Sequence, residues 1–390
     1  MHSYRYLIVG GGMTGHAAAV AIREADPEGA LGMIGEEQVP PYARPPLSKA
    51  LWTQGLARDQ VFLPALTGLV HHAGRRAVAL DVVAHEVRDD QGERYRYERL
   101  LLATGGRPRR LAVGGERVIY FRTLADYDQL RAAPGGSVAV VGGGFIGTEL
   151  ASALRQDGRE VTMIFPDLAL GARVWPAELA DHVTQDFERR GVRLMRGHSV
   201  VGLDAFGDRL VVRTNGGAQV LVDQVVAGLG IIPETALAEQ AGLDVQDGIE
   251  VDEGLRTSAP DVFAAGDVAR IWSSALEARV RVEHEDNALT MGREAGRAMA
   301  GRAVTWRHLP FFYSDLFEQG YEAVGRLDAR METLASWQQP LRRGVVYYLE
   351  HDRVRGVLLW GISGQVEAAR QLILRQQPVA AEALAGAIQA

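Results

Sequence analysis

Gly10, Gly12 and Gly15 follow the apolar run Tyr6-Leu-Ile-Val9 and precede the helix-forming run Ala17 to Ala25. Strand, glycine turn and helix in that order can hold a pyrophosphate. The turn needs backbone angles that glycine adopts freely, the chain must approach phosphate closely, and the helix must pack tightly on the strand. The helix N-terminus adds unpaired N–H groups and partial positive charge. An acid at the end of the next strand would bind ribose hydroxyls. Glu36 stands there, after Leu31-Gly-Met-Ile34. A second copy has Gly142, Gly144 and Gly147 after Ser137-Val-Ala-Val-Val141, with Glu149 to Arg155 opening its helix. Asp167, after Val161-Thr-Met-Ile-Phe165, is its acid. No Arg adjoins Asp167 where a 2′-phosphate would sit, and Arg173 is the nearest in sequence. That favours NADH over NADPH. One such turn alone could be a flexible loop, but two correctly spaced copies point to two dinucleotide sites.

The elements around these turns set the organisation. Val78 to Tyr97 reads as β-structure with a turn at Asp89-Asp-Gln-Gly92, and Leu100-Leu-Leu-Ala103 as a buried strand ending in Thr104-Gly-Gly106. Val220 to Leu229 reads as one strand, with Gly228 and Gly230 at its end. Val262-Phe-Ala-Ala-Gly-Asp267 is a strand with a Gly-Asp tip, and Asp286 to Ala300 a helix. Beyond about Pro310 the chain is richer in aromatic residues and alternates apolar with polar positions. That predicts a small α+β domain with a terminal helix over Val366 to Arg375.

Composition narrows the chemistry. With 390 residues, 47% hydrophobic and 23% charged, the chain suits two or three soluble domains. A net charge of −7 without a long block of like charge argues against nucleic acid as the main partner. The cysteine count is 0, so no disulfide, thiolate metal centre or cysteine nucleophile exists. No metal site is expected. The uncharged stretch Tyr6 to Ile22 is glycine-rich and reads as strand, turn and helix, not as a signal peptide. No other stretch is apolar enough to span a membrane, and the expected location is the cytoplasm.

The order of motifs resembles that of the two-dinucleotide flavoprotein reductases. It runs Gly10–Gly15, Ala103-Thr104-Gly105, Gly142–Gly147, Gly228–Pro233 and Gly266-Asp267. The resemblance implies FAD at the first turn and NAD at the second. For FAD it implies contacts from Gly10, Gly12, Thr14, Gly15, Glu36, Arg44, Lys49, Ala103, Thr104, Gly105, Gly266, Glu283, His284 and Tyr313, with Asp267 on the ribityl chain. For NAD it implies Gly142, Gly144, Phe145, Ile146, Gly147, Glu149, Asp167, Gly228 and Gly230. Phe145 lies against the nicotinamide or serves ordinary helix–sheet packing.

The absent cysteines exclude the dithiol-dependent branches of that superfamily. Pro41-Tyr-Ala-Arg-Pro-Pro-Leu-Ser-Lys49 is similar to a signature of its cysteine-free branches. The resemblance places Lys49 near flavin N5, paired with Glu149. A fixed cation there would stabilise negative charge as hydride arrives. Arg281-Val-Glu-His-Glu-Asp-Asn-Ala288, Phe312-Tyr-Ser-Asp315 and Gly320-Tyr-Glu-Ala-Val-Gly325 resemble the apoptosis-inducing-factor-like, bacterial-type members, near the ferredoxin reductases. Tyr313 stands where these branches generally carry tryptophan. Lys49, Glu149 and His284 are the catalytic candidates, with His284 an electrostatic element at a helix start.

The expected fold is α/β, with two Rossmann-like dinucleotide domains of the glutathione-reductase type and a small α+β C-terminal domain. The expected boundaries are 1–113 with 245–305 for FAD, 114–244 for NADH, and 306–390 for the C-terminal domain. The expected function is hydride transfer from NADH to FAD. A long-lived reduced flavin–NAD charge-transfer complex and redox-controlled homodimerisation would go with the apoptosis-inducing-factor-like reading. The alternative is a ferredoxin or rubredoxin reductase supplying an oxygenase. The acceptor (ferredoxin, quinone or oxygen) is left open.

Overall fold

The structure is a computed structural model describing residues 1–388. It is mixed α/β, with two Rossmann-like parallel sheets. The described residues form two compact units: residues 1–43, 59–107 and 232–310 in one, and 44–58, 108–231 and 311–388 in the other.

The first unit centres on His2–Val9, flanked in parallel by Leu31–Gly35 on one side and Arg94–Leu102 on the other. Leu69–Ala73 extends the parallel set beyond Leu31–Gly35, and Val262–Ala264 pairs in parallel with Arg94–Leu102. Parallel strands bury both faces, which explains the unbroken apolar runs: Leu7, Ile8, Leu100, Leu101, Leu102 and Val262 are completely buried. The helix Met13–Ala25 packs on the helix Glu285–Met299 at very short range. A Cβ at Gly292 would lie 2.4 Å from the Thr14 carbonyl oxygen, and one at Gly296 would lie 2.3 Å from that of Ala18. Small residues at i and i+4 give this helix the flat face that the crossing needs.

The second unit holds a five-stranded parallel sheet. Its order is Arg193–Arg196, Glu160–Phe165, Ser137–Val141, Gln224–Ala227, Val118–Tyr120. The apolar run from Val220 is therefore not one strand. Gln219–Val222 belongs to a three-stranded antiparallel sheet, and the chain turns into the parallel sheet at Asp223. The Asp223 carboxylate accepts from the Gly136 and Ser137 amides at 3.0 and 2.8 Å and from the Ser137 hydroxyl at 2.7 Å. Arg209 pairs with it at 3.0 Å. These bonds lower the Asp223 pKa, the Ser137 hydroxyl contributing most.

The same unit carries the C-terminal five-stranded antiparallel sheet, ordered Phe311–Leu316, Gln319–Gly325, Arg353–Trp360, Arg343–Glu350, Glu332–Gln339. The helix Val366–Leu374 packs against it. The loop after Asp167 is fastened to this sheet. The Ala329 amide donates to the Arg173 carbonyl at 3.0 Å, and the Tyr348 hydroxyl donates to that of Val174 at 2.8 Å. Trp175, 1% exposed, meets the Tyr321 and Trp360 rings edge-on at 5.8 and 5.6 Å. Among the described residues, no helix is long and apolar enough to cross a membrane.

Candidate functional site: two glycine turns and a buried lysine–glutamate pair

Both glycine helices begin about a turn earlier than the apolar pattern predicts. They run Met13–Ala25 and Phe145–Gln156, with Gly12 and Gly144 as their N-caps. Neither N-cap carries a side chain to satisfy the first-turn amides, which stay available to an anion.

The two turns share one division of labour. Gly10 has φ +127°, and a Cβ there would lie 2.1 Å from the Ala103 carbonyl oxygen; one at Gly15 would lie 2.1 Å from the Gly10 carbonyl oxygen. In the second turn, Gly142 has φ +115° and faces the Gly228 carbonyl oxygen at 2.4 Å, while Gly147 faces that of Gly142 at 2.0 Å. These four glycines are fixed by the protein's own packing. A Cβ at Gly12 or at Gly144 would meet nothing within 4 Å. The middle glycines therefore front open space at a helix N-terminus, the cradle a pyrophosphate requires. The residues present fit a dinucleotide at each turn.

In the first unit, the other expected FAD residues line up behind the first turn. Ala103 is bonded to the strand before Gly10, its amide donating to the Val9 carbonyl at 2.8 Å. The Thr104 hydroxyl donates to the Glu234 carbonyl at 2.7 Å, and the Glu234 amide donates to the Gly105 carbonyl at 2.9 Å. Glu36 is exposed immediately after Leu31–Gly35. Gly266 packs on Thr14: a Cβ there would sit 2.3 Å from the Thr14 hydroxyl oxygen. Asp267 follows, its carbonyl accepting from Arg281 at 3.1 Å; Arg281 also holds Glu283 at 2.7 Å. His284 is the N-cap of Glu285–Met299. Burial pushes its imidazole down to about 4, against the opposing pull of Asp267 and Asp286. The ring is therefore neutral at neutral pH.

In the second unit, Glu149 is buried at 4% exposure on the second glycine helix, with both carboxylate oxygens engaged. Lys49 Nζ lies 2.8 Å from Oε1, the Ser314 hydroxyl donates to Oε1 at 2.6 Å, and the Ser48 hydroxyl donates to Oε2 at 2.5 Å. The Lys49 ammonium also sits 5.2 Å from the centre of the Tyr313 ring. Ser48 and Ser314 were not among the sequence candidates. Both lie inside quoted motifs, yet they meet Glu149 across 101 and 165 residues, which no local pattern reveals. Burial, and then the Glu149 charge, push the enclosed Tyr321 phenol well up. Arg44 donates to the Arg122 carbonyl at 2.6 Å.

At the second glycine turn, Phe145 stacks obliquely on Phe312 at 4.9 Å. Ile146 is 39% exposed. Gly228 closes the turn on Gly147, and Gly230 takes φ +79°. Asp167 follows Glu160–Phe165 and is paired with Arg173 at 3.3 Å. Arg173, the nearest arginine in sequence, is thus in contact with the expected ribose acid. Among the described residues, no group of three or more His, Asp or Glu could hold a metal ion.

The family description of the pyridine nucleotide-disulphide oxidoreductases matches residues 4–292. The chain belongs to that family. Apoptosis-inducing factor 1, mitochondrial, of Dictyostelium discoideum is 30% identical over 97% of this chain and 80% of its own length. The ferredoxin–NAD(+) reductase component of the anthranilate 1,2-dioxygenase system of Burkholderia cepacia is 34% identical over 94% and 93%. The fold is similar to the crystal structure of the covalent putidaredoxin reductase–putidaredoxin complex, with TM-score 0.91, 29% identity, and 99% and 96% of the two chains covered. As a pyridine nucleotide-disulphide oxidoreductase, the protein is an FAD-dependent NAD(P)H oxidoreductase. Despite the family's title, its sequence contains no cysteine, so no dithiol relays electrons.

Proposed function

We propose that the protein carries electrons from NADH through FAD to a ferredoxin-type acceptor. The observation that carries this reading is the buried Lys49–Glu149 pair in a chain without cysteine. Electrons that enter such a protein must leave from the flavin itself. FAD, when bound, takes two electrons from NADH as a hydride and can release them singly.

The chain's own residues divide the remaining work. The first glycine turn, Glu36 and Asp267 bind FAD; the second turn and Asp167 bind NADH. Lys49 supplies a cation for the flavin, and Glu149 fixes it. The carboxylate's other two donors, Ser48 and Ser314, hold Glu149 in one orientation, so the ammonium has one place to be. His284 stands uncharged at a helix start, so the positive potential there is the helix's own and not that of an imidazolium.

The ferredoxin assignment draws on the 34% identical ferredoxin reductase component and on the likeness to the putidaredoxin reductase complex. A second reading, a slow NADH oxidoreductase that stays reduced and dimerises, draws on the Arg281–Ala288 stretch and the apoptosis-inducing-factor relative. Anaerobic titration with NADH, then admission of air, separates them. Immediate reoxidation with rapid turnover on an added ferredoxin supports the first. Long-wavelength absorbance that persists for minutes, with an NADH-dependent shift in size-exclusion chromatography, sinks it in favour of the second.

A further inference from the structure

Glu149 does not stand alone on its helix. Ser152, three residues on, shares its face of Phe145–Gln156 and is 1% exposed. Ala151 and Ala153 beside it are also buried, and an alanine at 152 would favour the helix more than serine does. The serine's hydroxyl oxygen is in use. It accepts from the Phe317 amide at 2.7 Å and from Gln156 Nε2 at 3.1 Å.

Phe317 opens the two-residue loop between the strands Phe311–Leu316 and Gln319–Gly325, where Leu316 pairs with Gln319. Its φ is +57°, an angle that such loops usually give to glycine, asparagine or aspartate and that is uncommon for a bulky side chain. Backbone strain of this kind persists where the surroundings over-determine it. The Phe317 ring meets that of Phe187 edge-on at 5.0 Å, and the Arg190 guanidinium lies 4.5 Å from its centre. Arg190 also holds Glu318 at 2.5 Å. The loop is thereby pinned to one helix through Ser152 and to a second, Ala177–Arg189, through Phe187.

Ser314 lies three residues before Phe317, on the strand that this loop ends. Helix and strand are thus joined twice, by Ser314 to Glu149 at 2.6 Å and by Phe317 to Ser152 at 2.7 Å. The Glu149 oxygen that accepts from Ser314 is also the one that holds Lys49. A strand released from the helix would carry the Ser314 hydroxyl away from that oxygen.

We infer that Ser152 is a positioning residue for the Lys49–Glu149 pair. Through the Phe317 loop it fixes the strand that brings Ser314 to the carboxylate. This rests on the reading that the pair tunes the flavin, and adds a residue outside the pair's own bonds.

Lys49 is the only lysine in the sequence, so lysine labelled with 13C at Cε gives the FAD-loaded protein a single side-chain reporter. Ser152→Ala should move the Lys49 signal in the direction that Ser314→Ala moves it. It should also slow flavin reduction by NADH about threefold to tenfold, the size of one hydrogen bond's contribution. Ser152→Thr, which keeps the accepting oxygen, should match wild type in both. In a Ser314→Ala background, Ser152→Ala should change neither further, since the route through Ser314 is already cut. Hydrogen exchange of the wild type needs no variant to fold. There the Phe317 amide should be protected at least about tenfold over a free loop amide. An unmoved Lys49 signal in Ser152→Ala, an equal further shift in the Ser314→Ala background, or an unprotected Phe317 amide would overturn the inference and leave the proposed function standing. A moved signal with wild-type flavin reduction would uphold the positioning and overturn the reading that the pair acts in the reaction.

Discussion

Lys49 and Glu149 meet at 2.8 Å, the one following the rigid Pro45–Ser48 turn and the other in the first turns of the second glycine helix. The helix proposed to present its N-terminus to a dinucleotide thereby also fixes a cation. Removing the carboxylate leaves a part-buried ammonium without its counter-ion. Glu149→Ala should destabilise the protein by about 3 kcal/mol in urea unfolding. Glu149→Gln should cost less, because both serines keep a partner. Either change, like Lys49→Ala, should slow flavin reduction by NADH at least about tenfold in stopped-flow. Wild-type rates in Lys49→Ala would remove the pair from the reaction.

Glycine substitutions should divide by their surroundings. Gly12 and Gly144 have φ of −95° and −86°, angles that alanine adopts, and their missing Cβ atoms face open space. Gly12→Ala should leave the stripped protein's stability within about 0.5 kcal/mol and weaken FAD at least about tenfold. Gly144→Ala should keep FAD and raise KM for NADH by a similar factor. Gly10→Ala should give no folded protein, since φ is +127° and the Ala103 carbonyl lies 2.1 Å away. Equal FAD affinity in Gly12→Ala and wild type would show that the first turn is not the FAD cradle.

Arg173 and Asp167 are paired at the position proposed for the second ribose. Arg173 is 76% exposed, so it can swing away from the carboxylate at little cost. With Asp167 present, NADH should be preferred. Asp167→Ala should raise KM for NADH about tenfold and, with Arg173 released to a 2′-phosphate, narrow or reverse the preference over NADPH. Steady-state kinetics with both nucleotides in Asp167→Ala and in Asp167→Ala/Arg173→Ala checks this. A preference that does not move in the single variant places the ribose elsewhere.

His284 sets an acid-side sensitivity. Its pKa is depressed from 6.5 to about 4, so between those values the unfolded chain takes up a proton that the folded chain refuses. Its contribution is complete above 6.5 and is lost progressively as pH falls toward 4. The stripped wild type should lose on the order of 2 kcal/mol more than His284→Gln over that window. Parallel stability–pH curves for the two proteins would mean that the ring is not held neutral.

Much of the fold was legible because the glycine turns are dictated by backbone packing that only glycine permits. The early helix starts were not, because Met13–His16 and Phe145–Thr148 enter the helix directly after glycines, without a capping side chain to announce them. The corner at Asp223 was hidden for a different reason. An apolar run from Val220 to Leu229 has the same periodicity whether or not the strand changes sheets, and the decisive bonds come from Gly136 and Ser137. Within the candidate site, Lys49 and its partner Glu149 came from the resemblance of Pro41–Lys49 to the cysteine-free branches. The serines that orient Glu149, and the contact between Arg173 and Asp167, depend on loops whose course the sequence does not encode locally.

The fastening of the loop after Asp167 has a consequence for engineering. Arg173 and Val174 give their carbonyls to Ala329 and Tyr348, and Trp175 is walled in by Tyr321 and Trp360. The last eighty residues therefore cannot be exchanged with those of a relative as a cassette. Grafting a foreign C-terminal sheet would leave an indole and two carbonyls stranded in the loop that follows Asp167. Chimeras meant to change the electron acceptor should carry the loop from Asp167 to Trp175 along with the sheet.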